Sequence, residues 1–149
     1  LINAEGLVWV GNRIQEVDTG SPLTWQMPQG GIDKGEEATA AALRELKEET
    51  GTDKADILGE TAGWLHYDLP DHLIGVALNG KFRGQAQKWF AMRFTGQDGD
   101  IDIAADDHQE FSEWAWVPID ELVELIVPFK RSVYEQVIAE LGKYAVPAS

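Results

Sequence analysis

Alternation of apolar and polar positions predicts five β-strands along the chain. The segments are "LVWVGNR" at 7–13, a short piece at 25–27, two long pieces at 57–70 and 84–96, and "FSEWAWV" at 111–117. A period of two is seen in the second long piece, where Lys88, Phe90, Met92 and Phe94 alternate with Gln87, Trp89, Ala91 and Arg93. Pro118 ends the last strand, because proline cannot donate a ladder hydrogen bond.

Helical spacing predicts three helices between and after these strands. The first runs from about Glu36 to Thr50, is rich in alanine, leucine and glutamate, and is followed by Gly51 at a helix-stop position. The others cover about 119–126 and 129–141, and the last has one apolar stripe: Val133, Val137, Ile138 and Leu141. Strands and helices in this order predict one α/β domain over residues 1–149, an α/β/α sandwich with a mixed β-sheet.

Composition narrows the possible functions. The chain has 149 residues, 44% hydrophobic content, six tryptophans and no cysteine, which favours a folded globule without disulfides or thiolate metal sites. It contains no apolar run of membrane-spanning length, so we predict no membrane partner and a cytoplasmic protein. The formal charge of -14 disfavours duplex DNA as a partner. An anionic substrate would therefore need divalent cations.

Three glutamates of the first predicted helix fall within one narrow arc. Glu45, Glu48 and Glu49 have i, i+3 and i+4 spacing, so their carboxylates form a cluster beside a packed face. Their repulsion destabilises the helix by a few tenths of a kcal/mol per pair in water. A hard cation such as Mg²⁺ or Mn²⁺ reverses that effect, because such ions take oxygen ligands. A solvated acidic face, with Arg44 in an ordinary surface ion pair, is the alternative from these residues alone.

The wider pattern around this cluster resembles the signature box of the Nudix hydrolases. From Gly30 the chain has five residues, Glu36, seven residues, then "REL", one residue, "EE", one residue and Gly51. Every charged and glycine position of the box, taken as residues 30–52, is matched. Thr52 departs from the pattern, because an aliphatic residue is usual there.

Segments outside the box resemble one branch of the family, which contains bacterial RNA pyrophosphohydrolases and asymmetric diadenosine tetraphosphate hydrolases. These segments are "WQMPQGGID", "GQAQKWF", "EFSEWAWV" and "PFKRSVY", and they span residues 25–134. The N-terminal side matches less well. Members of this family usually begin earlier with an additional strand. The sequence therefore does not decide which segment forms the first strand of the sheet.

The resemblance implies roles for the residues of the box. Glu45, Glu48 and Glu49 would bind Mg²⁺ or Mn²⁺, Arg44 would hold Glu36, and Gly30 would let the backbone pass close to the metal and the phosphate. Glu110 in "HQEFSEW" matches a family position that faces the metals, although its residue type equally suits a solvated loop acid. Glu45, Glu49 and Glu110 are all candidates for the group that removes the proton from the attacking water.

Further residues are candidates for substrate binding. Cations for the phosphates are Arg13, Lys88, Lys130 and Arg131, each of which equally suits an ordinary surface position. Phe129 and Tyr67 are candidates to stack a base, with core packing as the alternative, above all for Tyr67. Candidates to line the pocket by hydrogen bonding are Gln29, Gln85 and Gln87.

The resemblance implies hydrolysis at a phosphorus atom of a nucleoside diphosphate linked to another group. The expected reaction is removal of pyrophosphate from the 5' end of triphosphorylated RNA. Asymmetric hydrolysis of a dinucleoside polyphosphate, diadenosine tetraphosphate, is the alternative within the enzyme class. A binding module that retains the fold without turnover is the alternative from another class, and the intact box argues against it.

Overall fold

A computed structural model describes residues 1–14, 21–30, 35–74 and 84–148. Within these ranges the chain forms seven strands and three α-helices. The strands are β1 (Val8–Arg13), β2 (Trp25–Gln26), β3 (Ala55–Glu60), β4 (Leu65–Asp68), β5 (Gly84–Gln87), β6 (Phe90–Phe94) and β7 (Phe111–Val117). The helices are α1 (Ala38–Thr50), α2 (Leu122–Leu125) and α3 (Arg131–Leu141). The predicted α/β class is confirmed.

All four strand pairings among the described residues are antiparallel. Strand β1 lies between β2 and β7, while β3 pairs with β6 and β4 pairs with β5. Ile2 connects the first two groups, because it forms an antiparallel bridge with Val8 and a parallel bridge with Arg93. This parallel bridge supplies the mixed character that the sequence predicts, and the segment before β1 is part of the sheet.

The two long strands predicted at 57–70 and 84–96 were wrong in extent, because each is divided into two. Strand β3 is separated from β4, and β5 from β6. At the division the Trp89 N–H donates to the Thr61 hydroxyl at 3.2 Å, while the Thr61 N–H donates to the Trp89 carbonyl at 2.9 Å. A side chain therefore replaces a main-chain acceptor at this point, which alternation of side-chain polarity cannot reveal.

The helices begin later or are shorter than the sequence predicts. Helix α1 begins at Ala38, after an extended Glu37, and ends at Thr50, and the next residue, Gly51, has a left-handed φ of 82°. A side chain at Gly51 would also meet the main chain of Asp102, so glycine is required there for two reasons. The predicted helix at 119–126 is a 3₁₀ turn followed by α2, and Pro128 begins a second 3₁₀ turn before α3.

Two apolar clusters fill the interior. The larger includes Val10, Trp89, Leu122 and Tyr134, and joins β1, the segment between β5 and β6, α2 and α3. The smaller is aromatic: Trp9 packs edge-on against Phe111 with ring centroids 5.3 Å apart, and Phe94 and Ile101 complete it. None of the helices in the described ranges combines the length and apolar character needed to span a bilayer.

Candidate active site

Arg44 contacts one acidic residue before α1 and two in the second half of this helix. Its guanidinium donates to both oxygens of Glu36, at 2.8 and 2.9 Å, so the contact predicted from the sequence is present. The same group donates to Glu45 at 2.8 Å and to Glu48 at 3.2 Å. The Arg44 guanidinium therefore partly neutralises the carboxylates of Glu36, Glu45 and Glu48. This offsets the repulsion between Glu45 and Glu48 that their spacing on the helix predicts.

Glu49 differs from its neighbours because it lies in the interior. Its side chain is 4% exposed, and among the described residues its Oε2 atom has no hydrogen-bond partner. Burial raises the pKa of Glu49 well above its usual value, and the charges of Glu45, Glu110 and Glu48 raise it further. A buried carboxylate beside other carboxylates is costly unless a cation compensates for it.

The segment that follows β2 contacts two of these carboxylates. The main-chain N–H of Gln29 donates to Glu49, which opposes the rise in its pKa. Gly30 lies directly against the Glu45 side chain, and a Cβ atom at residue 30 would overlap its carboxylate. A side chain at residue 30 would therefore displace the Glu45 side chain, and the close approach is the one that the resemblance implies.

A cavity of about 260 Å³ adjoins the carboxylates. It brings together a subset of the candidates predicted from the sequence, and apolar side chains form most of the remaining wall. The candidates that line it are Gln29, Gly30, Glu45, Glu49, Gln87 and Lys88.

A second group of candidates surrounds a buried ammonium group. Lys130 is 5% exposed, and its Nζ atom lies 5.3 Å from the ring centroid of Tyr67 and 5.9 Å from that of Phe129. Burial, together with the charge of Arg13, lowers the pKa of Lys130 to about 8, while Glu49 opposes the shift. Arg13 also acts on Tyr67, whose pKa is raised by burial. The electrostatic link between Lys130 and Glu49 connects this group to the carboxylates.

The two aromatic candidates lie in different environments. Tyr67 is buried in the larger apolar cluster and packs against Phe129, with ring centroids 5.8 Å apart at 43°. Phe129 is only partly buried. Tyr67 therefore packs against Phe129 and Lys130 from the apolar interior. The ring of Phe129 is the more accessible of the two aromatic rings.

The remaining candidates lie at the periphery of the carboxylate cluster or outside the residues that the structure describes. Glu110 is partly exposed, lies 3.5 Å from His108 and acts electrostatically on Glu49. Lys88 lies 3.5 Å from Glu60. Arg131 donates to the Val123 carbonyl at 3.1 Å, a contact that holds α2. The side chain of Gln85 lies outside the described part of the structure.

The donor chemistry of this region fits a hard divalent cation. Glu45, Glu48 and Glu49 supply oxygen atoms only, and the Glu49 Oε2 atom is buried without a hydrogen-bond partner among the described residues. Within the described ranges, no three acidic or histidine side chains already converge as a metal-binding set. Arg44 holds Glu45 and Glu48 through its guanidinium, so both would have to turn toward an ion.

Sequence reasoning missed three aromatic residues close to the site. Trp64, 52% exposed, lines the cavity, and Trp89 lines it from the segment between β5 and β6. The Tyr134 hydroxyl accepts a hydrogen bond from the Met27 N–H at 2.8 Å. Trp89 and Tyr134 stand within quoted family-like segments, "QKWF" and "RSVY", but an aromatic residue in a strand or helix is most often core.

Comparison with known proteins places this geometry in context. The family model described as the NUDIX domain matches residues 1–137. The chain is 60% identical over 147 residues to an RNA pyrophosphohydrolase of Rhodospirillum rubrum, covering 99% of this chain and 86% of that protein. It is 55% identical over 146 residues to an RNA pyrophosphohydrolase of Agrobacterium fabrum, covering 94% and 86% respectively.

Solved structures share the fold at low sequence identity. The Escherichia coli dihydroneopterin triphosphate pyrophosphohydrolase aligns with a TM-score of 0.64 at 20% identity, over 93% of this chain and 91% of the other. A Caenorhabditis elegans Ap4A hydrolase aligns with a TM-score of 0.58 at 19% identity, over 91% and 86%. At these identities the likeness concerns the fold alone.

Proposed function

This chain belongs to the Nudix family, and from that premise we propose that it is an RNA pyrophosphohydrolase that removes pyrophosphate from 5'-triphosphorylated RNA. The observation that supports this activity most strongly is the similarity of at least 53% identity, over nearly the whole chain, to three proteins of that name. The proposal treats residues 1–149 as one Nudix domain and the protein as cytoplasmic.

Nudix hydrolases generally use divalent metal ions. We propose that Glu45, Glu48 and Glu49 bind Mg²⁺ or Mn²⁺ and that Glu110 completes the acidic environment. The bound ion would offset the charge of the phosphates and lower the pKa of a coordinated water. The Glu49 Oε2 atom, which has no hydrogen-bond partner among the described residues, supports this assignment, because a buried carboxylate oxygen without a partner is otherwise destabilising.

The protein itself positions these groups and supplies a base. Arg44 holds Glu36 and so fixes the segment before α1 against the helix. Gly30 allows the main chain to approach the Glu45 carboxylate closely. Glu45, Glu49 and Glu110 are the candidates to accept the proton of the attacking water.

Binding of the RNA 5' end is assigned to the group around Lys130. The charge of Glu49 acts on the Lys130 ammonium, and Arg13 adds a second positive charge beside it. Phe129 is placed to stack the first bases, with Tyr67 behind it. Gln29, Gln87 and Lys88 line the adjoining cavity and are proposed as further polar contacts.

The testing experiment compares two substrates with one preparation of the protein. Turnover of 5'-triphosphorylated RNA and of diadenosine tetraphosphate is measured in parallel, each with Mg²⁺ and with Mn²⁺. The proposal expects a higher kcat/KM on the RNA. A clear preference for the dinucleoside polyphosphate would favour the alternative activity.

A further inference from the structure

The segment Met27–Gly30 contacts two of the proposed metal ligands, so whatever holds this segment also sets the positions of their carboxylates. Gln29 donates its main-chain N–H to Glu49, and Gly30 packs against the Glu45 carboxylate. Among the described residues, no strand pairing holds the segment. Strand β2 pairs with β1 only at Trp25 and Gln26, and its ladder ends one residue before Met27.

Side chains hold the segment instead, at two points. The Met27 N–H donates to the Tyr134 hydroxyl at 2.8 Å, in the interior of the protein. Two residues further on, the Gln29 Oε1 atom accepts a hydrogen bond from Gln87 Nε2 at 3.3 Å. A buried main-chain N–H that has left its ladder needs another acceptor, and Tyr134 on α3 provides it.

Trp89 joins these two anchors to each other. Its indole Nε1 donates to Gln87 Oε1 at 3.1 Å, which leaves the Gln87 amide group to donate to Gln29. Its ring packs edge-on against Tyr134, with centroids 5.7 Å apart at 79°. Tyr134 is 1% exposed and both Trp89 and Gln87 are 8% exposed. The three side chains therefore form one connected, buried contact set beside Met27–Gln29.

We propose that Tyr134, Trp89 and Gln87 are positioning residues for the reaction: they fix Met27–Gln29 and thereby hold the Glu45 and Glu49 carboxylates in place for the metal. The inference rests on the proposed function for the metal and the reaction, and the contact set itself does not depend on which substrate is used. It also gives Gln87 a role in support of the site, in addition to the polar substrate contact proposed above.

The test uses Tyr134→Phe, which keeps the ring against Trp89 and removes only the acceptor for Met27. The first readout is the Mn²⁺ concentration that gives half of the maximal rise in melting temperature, measured without substrate. Removing a partner that orients a metal ligand weakens metal binding roughly 10- to 100-fold. We expect the midpoint concentration to rise by at least about tenfold and kcat to fall by a similar factor, with KM for RNA unchanged.

Tyr144→Phe is the matched control, because it makes the same chemical change in a 3₁₀ turn after α3. Gln87→Met is the second variant, since it keeps length and removes both hydrogen bonds. A metal midpoint that moves in Tyr134→Phe and Gln87→Met, but not in Tyr144→Phe, supports the proposal. An unchanged midpoint in the first two overturns it, as does a Gln87→Met variant in which only KM changes. Failure of the wild-type protein to cleave RNA would refute the proposed function and leave the midpoint measurement intact.

Discussion

The Glu45 carboxylate occupies the space that a Cβ atom at residue 30 would need. This relationship joins the segment after β2 to α1, and a larger residue at position 30 would move the Glu45 carboxylate. The residue at position 30 therefore acts through the position of Glu45, and its substitution can be predicted from geometry.

We expect Gly30→Ala to displace the Glu45 side chain and to lower turnover by about 10- to 100-fold, as expected when a metal ligand loses its orientation. Circular dichroism should show the fold retained. Gly99→Ala is the control, because a Cβ atom at Gly99 would meet nothing within 4 Å. Full activity in Gly30→Ala would show that Glu45 can be repositioned without loss and would contradict its assigned role.

Glu49→Gln keeps the size of the side chain and removes a buried charge. We expect turnover to fall by at least about a hundredfold, because the amide cannot replace the carboxylate as a ligand or base. Without divalent metal the same substitution should raise the melting temperature, since the wild-type carboxylate is buried beside Glu45, Glu48 and Glu110. Glu48→Gln, at an exposed position, provides the comparison: it should lose turnover similarly with little gain in stability. Normal turnover in both variants would refute the metal assignment.

Millimolar Mg²⁺ should raise the melting temperature of the wild-type protein. A ligand that binds only the folded state at about 100 times its Kd stabilises it by roughly 2.7 kcal/mol. Thermal denaturation with increasing Mg²⁺ measures the effect, with Ca²⁺-free buffer and a chelator as the reference condition. Glu49→Gln should show a much smaller rise. Equal rises in the two proteins would place the ion elsewhere.

Lys130 should make stability depend on pH in a defined window. Its folded-state pKa is lowered from 10.5 to about 8 by burial and by Arg13. Below about pH 8 both states carry the proton, and the folded state bears the full cost of the buried charge. Between about 8 and 10.5 the unfolded state holds more protons, so the free energy of unfolding rises with pH, by on the order of 3 kcal/mol.

Lys130→Met removes this dependence, and the difference between the two proteins isolates it from other titrating groups. At pH 7, without divalent metal, we expect the variant to be more stable than the wild type and less active on RNA. Urea denaturation at pH 7 and pH 10 measures the first effect. A wild-type protein that gains no stability relative to the variant between these pH values would show that the ammonium is not desolvated.

Phe129→Ala should raise KM for triphosphorylated RNA more than KM for a small nucleotide, because a stacked base contributes roughly 1–3 kcal/mol. Tyr134 and Tyr67 remain in place in this variant, so the measurement reports on the accessible ring. Because the protein has a net charge of -14, additional nucleotides should not strengthen RNA binding. Extension of the RNA beyond a few nucleotides should therefore leave kcat/KM nearly unchanged. A rate that climbs steadily with RNA length would contradict recognition of the 5' end.

The sequence by itself determined the class of fold and the identity of the carboxylate cluster. Both depend on the spacing of residues along the chain. For the cluster, helical periodicity places Glu45, Glu48 and Glu49 on neighbouring turns. The spacing of the motif in the same way predicts the contact between Glu36 and Arg44. Local propensity also placed α1 within two residues of its start and Gly51 at its end. Such features follow from neighbours in sequence, so sequence patterns report them well.

Only the tertiary structure decided which of the candidates lie together. The separation of Glu49, which is buried, from Glu48, which is exposed, depends on what packs against α1. The division of two long strands depends on one Thr61 hydroxyl bound to the Trp89 N–H, and the anchoring of Met27 depends on Tyr134 from a helix 107 residues later. Contacts between residues so distant in sequence are set by the packing of the whole chain, and the spacing of residues along it does not encode them locally.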